Sequence, residues 1–104
     1  MQVLYADKKI QRFIKSLEKS TIAKLLRTVN ILEQFGYEIG MPYSKKVDHD
    51  LFELRVRGQQ EIRILYAFHQ GSIFLLHGFI KKSNRIPPKE LLIAKQKLDI
   101  LDKA

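Results

Sequence analysis

The sequence predicts an α+β fold with elements in the order β-α-α-β-β-β-α. Two amphipathic helical patterns occupy the first third, three β-rich runs joined by tight links follow, and a last helical pattern closes the chain. With 104 residues, one modest core and a single domain spanning 1–104 are expected.

"QVLYA" is a short β-prone start, and Asp7 is placed to cap the segment after it. In "KKIQRFIKSLEK" the residues Ile10, Phe13, Ile14 and Leu17 follow the i, i+3, i+4, i+7 spacing of a helix with one buried face. Lys8, Arg12, Lys15 and Lys19 form a cationic stripe on its other face. Ser20 or Thr21 can cap a second helix whose apolar residues Ile22, Leu25, Leu26, Val29 and Leu32 recur with helical period up to a stop at Gly36. The minimal link between the two predicts an antiparallel helical hairpin. "YEIGMPYSKKVDHD" shows no period and contains Gly40 and Pro42, so it is read as a loop.

"LFELRV", "EIRILYAF" and "SIFLLHGF" are alternating or β-branched runs, separated by "RGQQ" and "HQGS". Such short links suit antiparallel hairpins and exclude parallel crossovers. If Arg57 and Glu61 flank the first turn, Arg55 lies opposite Arg63 and Glu53 opposite Leu65. Phe52, Leu54, Val56, Ile62, Ile64 and Tyr66 then share the other face, where Tyr66 belongs to a core. The register of the second hairpin, and with it the facing of His77, stays open. Pro88 suits a first helical turn, and Leu91, Ala94, Leu98 and Leu101 give that helix a buried stripe.

The composition, 45% apolar and 29% charged, is that of a folded domain. No run is long enough to cross a bilayer and the opening lacks a signal-peptide layout, so a cytoplasmic protein without membrane association is expected. Without cysteine, and with three scattered histidines, neither a metal nor a cofactor is expected. The net charge of +8 sits at the two ends, residues 1–35 and 78–104, and points to a polyanionic partner.

Like charges opposite one another repel, so the Arg55–Arg63 pair is costly. Either Glu53 and Glu61 neutralise it in a salt-bridged ladder, or the two guanidinium forks form an anion site on an uncovered sheet face. Lys81 and Lys82, in "GFIKKSNRIPPKE", lie at the mouth of that face, while Arg85 and Lys89 read as residues of an exposed linker. No nucleophilic triad, paired carboxylates or Walker loop is present. Preorganised cations can stabilise the charge that develops when a ribose 2′-OH attacks its neighbouring phosphate. Candidates to move the proton are His49, His77, Tyr66 and a lysine.

The set "LFELRV", "EIRILYAF" and "LLHGFIKKSNRIPPKE" resembles the HigB-like, phage-derived branch of the RelE/ParE toxin superfamily. The resemblance covers nearly the whole chain and is specific from Leu51 to Glu90. It implies a type II toxin that cleaves mRNA in the ribosomal A site, against the 16S ribosomal RNA, and is neutralised by a cognate HigA-like helix-turn-helix antitoxin. By position, Arg63 matches the arginine holding the scissile phosphate, Arg55 the arginine of the E-L-R motif, and Lys81 or Lys82 the basic position ending the last strand. RNA contacts fall to Lys45, Lys46, Arg57, Arg85 and His49. The tyrosine, or aspartate-tyrosine pair, that some relatives carry near the C-terminus has no counterpart after Lys82. Two rivals share the chemistry of charge: a ParE-like gyrase poison and a non-catalytic nucleic-acid-binding module.

Overall fold

The computed structural model describes residues 1–104. The chain runs β1 (Val3–Tyr5), α1 (Lys8–Lys15), α2 (Lys19–Phe35), a single 3₁₀ turn (Gly36–Glu38), β2 (Ser44–Asp48), β3 (Leu51–Arg57), β4 (Glu61–His69), β5 (Ser72–Ile80) and α3 (Pro88–Lys103). The expected α+β order holds, with one strand added. All five strands form one sheet in the order β1-β5-β4-β3-β2, antiparallel except for the parallel β1–β5 pair.

Asp7 caps α1 as expected, its carboxylate accepting from Ile10 N–H at 3.1 Å. The helix is shorter than its apolar pattern, however. It ends at Lys15, and Leu17 is buried from the link. The second helix begins at Lys19 after an extended Glu18, not behind Ser20 or Thr21; Thr21 lies buried within it. Lys19 therefore belongs to α2 rather than to the α1 stripe. Leu26, expected in the buried stripe, is exposed, and Thr28 turns inward with its hydroxyl donating to Lys24 C=O at 2.8 Å. Packing explains the difference, because each helix lies on its own strand, α1 on β5 and α2 on β3.

The segment read as a loop contains β2, an edge strand paired with β3 through Ser44↔Leu54, Lys45↔Glu53 and Lys46↔Phe52. Edge strands carry exposed lysines that discourage further pairing, and those lysines erased the alternation that signals a strand. In the first hairpin the register is the expected one: Arg55↔Arg63, Glu53↔Leu65 and Arg57↔Glu61. The β4–β5 hairpin turns at Gln70 and Gly71, both with positive φ (49° and 78°), as a two-residue hairpin turn requires. A bulge between Leu65↔His77 and Tyr66↔Leu75 leaves Leu76 unpaired, so Leu76 and His77 point to the same face.

The sheet has a core on each face. Ile10, Ile14, Leu25 and Leu32 pack on Leu54, Ile62, Ile64, Tyr66 and Leu75 on one side. On the other, Ala94, Leu91, Leu98 and Leu101 of α3 cover Leu51, Leu65, Ala67, Leu76 and Phe79. The second face is thus not uncovered, contrary to expectation; only its Arg55–Arg63 end is left open.

Candidate nucleic-acid interface

Strand alternation sends Glu53 and Arg55 of β3, and Arg63 of β4, to the face that α3 partly covers. The residues 81–87 bound the open end. Lys81 N–H donates to Glu61 C=O at 2.7 Å, Ser83 Oγ donates to Arg85 C=O at 3.0 Å, and Pro88 starts α3. Lys45 and Lys46 of the edge strand form the opposite wall.

The result is a cleft of two adjoining cavities of about 490 and 410 Å³. Lys45, Lys46, Glu53, Arg55, Lys81 and Arg85 line the first; Arg55, Arg57, Glu61, Arg63, Lys81 and Lys82 line the second, and Asn84 lines both. Eight cations face two carboxylates.

Both readings of the arginine pair are realised in part. The carboxylate oxygen Oε1 of Glu53 lies 3.5 Å from Arg55 Nε and 3.7 Å from Arg63 Nε. Arg63 Nη1 donates to Glu61 Oε2 and to Ile62 C=O, each at 3.1 Å. Its side chain is only 2% exposed and that of Glu53 5%, so the pair is a buried ladder at the cleft floor. Yet Nε of each arginine lacks a hydrogen-bond acceptor, and Arg55 Nη1 meets only the Met41 sulfur at 3.3 Å. Both Nε atoms are buried beside Glu53, so the pair is held at the floor and not offered to solvent. Around this floor Lys45, Lys46, Arg57, Lys81, Lys82 and Arg85 form no salt bridge at all. Uncompensated cations over two rigid guanidinium groups carry the charge and donor geometry that phosphate groups require.

Three sequence candidates lie elsewhere. His49 sits at the β2–β3 tip, 89% exposed, with Nε2 3.2 Å from Asp50, and lines neither cavity. His77 Nε2 is 3.1 Å from Glu90 Oε1, and its ring faces a separate cavity between α1 and α3. Tyr66 is buried on the opposite face, its hydroxyl 2.5 Å from Ser44 Oγ; burial pushes its pKa up from 10.0, against the pull of that hydrogen bond. Of the proposed proton carriers only the lysines reach the cleft. Lys81 lines both cavities, Lys82 one. Sequence reading treated Glu61 merely as a neutralising charge and passed over Asn84, for which no pattern could have spoken. No three His, Cys, Asp or Glu side chains come together in a metal-ligating group, and no helix is long and apolar enough to cross a membrane.

A mixed sheet clasped by an N-terminal helix pair and a C-terminal helix, and opening at one end onto arginines and lysines, has the make-up of a small toxin of the RelE/ParE-like group. Residues 12–99 match the model of the family described as "Phage derived protein Gp49-like (DUF891)", and the chain belongs to that family. The family consists of toxins of the RelE-like toxin–antitoxin type, so a cognate antitoxin is implied. A search of curated proteins finds no match.

Proposed function

We propose that this toxin is a ribosome-dependent mRNA endoribonuclease of the HigB-like branch, acting in the cytoplasm as a single domain without a metal. The observation that carries the reading is the cleft itself: two sheet-mounted arginines held by Glu53 at its floor, ringed by six cations that no carboxylate neutralises. In the reaction the ribose 2′-oxygen attacks the adjacent phosphorus and the P–O5′ bond breaks. A 2′,3′-cyclic phosphate and a 5′-hydroxyl result.

Arg55 and Arg63 face the phosphate and stabilise the negative charge that grows on it. Glu61, paired with Arg63 at 3.1 Å but 42% exposed where Glu53 is 5%, is the carboxylate within reach to take the 2′-OH proton. Lys81 or Lys82 supplies a proton to the departing 5′-oxygen. Lys45, Lys46, Arg57 and Arg85 hold flanking mRNA and 16S ribosomal RNA in the A site, and a HigA-like antitoxin silences the toxin.

Mapping of mRNA ends after translation in vitro tests the reading. Lys81→Ala is expected to lower the cutting rate about 100-fold, the scale for losing one general acid, and Lys82→Ala less. Equal cutting by wild type and both variants would remove the lysines from the site. Intact mRNA with inhibited DNA supercoiling would instead identify a gyrase poison.

A further inference from the structure

Around the edge of β3 from the cleft lies a second groove of about 350 Å³, between α2 and the end of β3. Lys24 and Arg27 line it from α2, Pro42 and Tyr43 from the approach to β2, and Arg55 and Arg57 from β3. Arg55 and Arg57 also line the cleft, so the two depressions are continuous.

No carboxylate lines this groove, and Lys24, Arg27 and Arg57 are in no salt bridge. Positions 24 and 27 are one helical turn apart and present their charges side by side. Lys24 Nζ donates to Arg57 C=O at 3.3 Å, which ties helix to strand across the groove floor. Tyr43 is 40% exposed although its backbone is held on both sides, its N–H donating to Gly40 C=O at 3.0 Å and its C=O accepting from Arg55 N–H at 2.8 Å. A solvent-facing ring on a fixed backbone beside unneutralised cations supplies the two parts of a single-strand platform, a stacking surface and a phosphate track. An acidic peptide would need only the cations.

We infer that this groove is a subsite for single-stranded RNA leaving the cleft, with Lys24, Arg27 and Arg57 on backbone phosphates and Tyr43 stacked on a base. The inference deepens the ribonuclease reading and rests on it for the identity of the strand.

Binding of a fluorescein-labelled uridine octanucleotide, followed by anisotropy at several salt concentrations, tests it. Tyr43→Ala is expected to weaken binding about tenfold at every salt concentration, with Tyr43→Phe restoring it. The pair Lys24→Ala/Arg27→Ala should flatten the dependence of log K on log salt by about 1.4, the share of two phosphate contacts on a single strand. The control pair Lys8→Ala/Lys15→Ala, exposed cations of α1, should change the slope far less. No binding by wild type, an unaltered Tyr43→Ala, or an equal effect of the α1 pair would each overturn the subsite. Cutting on translating ribosomes is measured separately. Its absence alongside the expected binding pattern would sink the nuclease reading alone, and its presence without that pattern would sink the groove alone.

Discussion

Replacing Arg63 by methionine keeps most of the stem and removes the charge, which isolates what the buried ladder contributes. Arg63 and Glu53 are 2% and 5% exposed, with Nε and Oε1 3.7 Å apart. At an effective dielectric constant near 20 such a pair attracts by about 4 kcal/mol. Arg55 still faces the same oxygen at 3.5 Å, so Glu53 would not be left wholly unpaired. Removal of one member of a buried pair costs about 3–5 kcal/mol, and the remaining arginine puts the loss near the lower end, about 3 kcal/mol. For a chain of this length that lowers Tm by roughly 15 °C. Adding Glu53→Gln removes the stranded carboxylate and should return at least half of the loss, a coupling that a double-mutant cycle reads directly. Thermal and urea unfolding followed by circular dichroism measure both. An Arg63→Met protein within 1 kcal/mol of wild type, or no recovery with Glu53→Gln, would refute the ladder. The doubly substituted protein is also the proper vehicle for a cutting assay, since its loss of activity would not be a loss of fold.

Tyr66→Phe strands the Ser44 hydroxyl and should cost about 1–2 kcal/mol while leaving mRNA cutting unchanged. Because burial raises the Tyr66 pKa above 10.0 in the folded state, its contribution is intact below that pH and lost as pH rises through the folded value; the urea midpoint should fall above pH 10 in wild type and less in Tyr66→Phe. For Asp7, burial alone would raise the pKa, but the Ile10 N–H, Lys97 and the Lys9 N–H outweigh it and hold the value below 3.8. Asp7→Ala should therefore cost about 1 kcal/mol at neutral pH, a difference that disappears in acid titration as pH falls through the folded pKa. A Cβ at Gly78 would stand 2.5 Å from two ring carbons of Phe13 and 2.9 Å from Ile64 Cδ1. Gly78→Ala should destabilise by about 1–3 kcal/mol, and Phe13→Leu should recover part of it in urea unfolding.

The strands that are buried on a face were readable because their period reports that burial. Alternation in "LFELRV" and "EIRILYAF", with Arg57 and Glu61 at the turn, is enough to derive the Arg55↔Arg63 register found in the fold. Where a strand has water beside it the period disappears. β2 has exposed Lys45 and Lys46 on successive positions, so nothing local marks it, and only its pairing with β3 makes it a strand. The limits of α1 and α2 failed for a related reason. "SLEKST" offers several polar residues able to end or begin a helix, and the buried contacts of Leu17 and Thr21 decide among them.

For the site, charge and strand alternation brought Arg55, Arg63, Lys81 and Lys82 to one place, and the family resemblance added Lys45 and Lys46, whereas the proton carriers depended on tertiary facts. His77 illustrates the difference: one unpaired residue, Leu76, decides which way its ring points, and a bulge leaves no trace in apolar sequence. The transverse row Arg55↔Arg63↔Phe79 shows why the cleft is confined to one end of the sheet. Its first two members are guanidinium groups and its third is buried beneath α3, so polarity changes within a single row. Helix α3 covers the sheet as far as apolar side chains reward contact and no further. Pro87 and Pro88 set its start, with extended backbone at Pro87 (ψ 136°) followed at once by the first helical turn. A start one turn earlier would extend the helix toward Lys81 and Lys82, which no salt bridge neutralises. The two prolines thus keep open the end of the sheet flanked by Lys81 and Lys82, whose charges have no partner inside the protein.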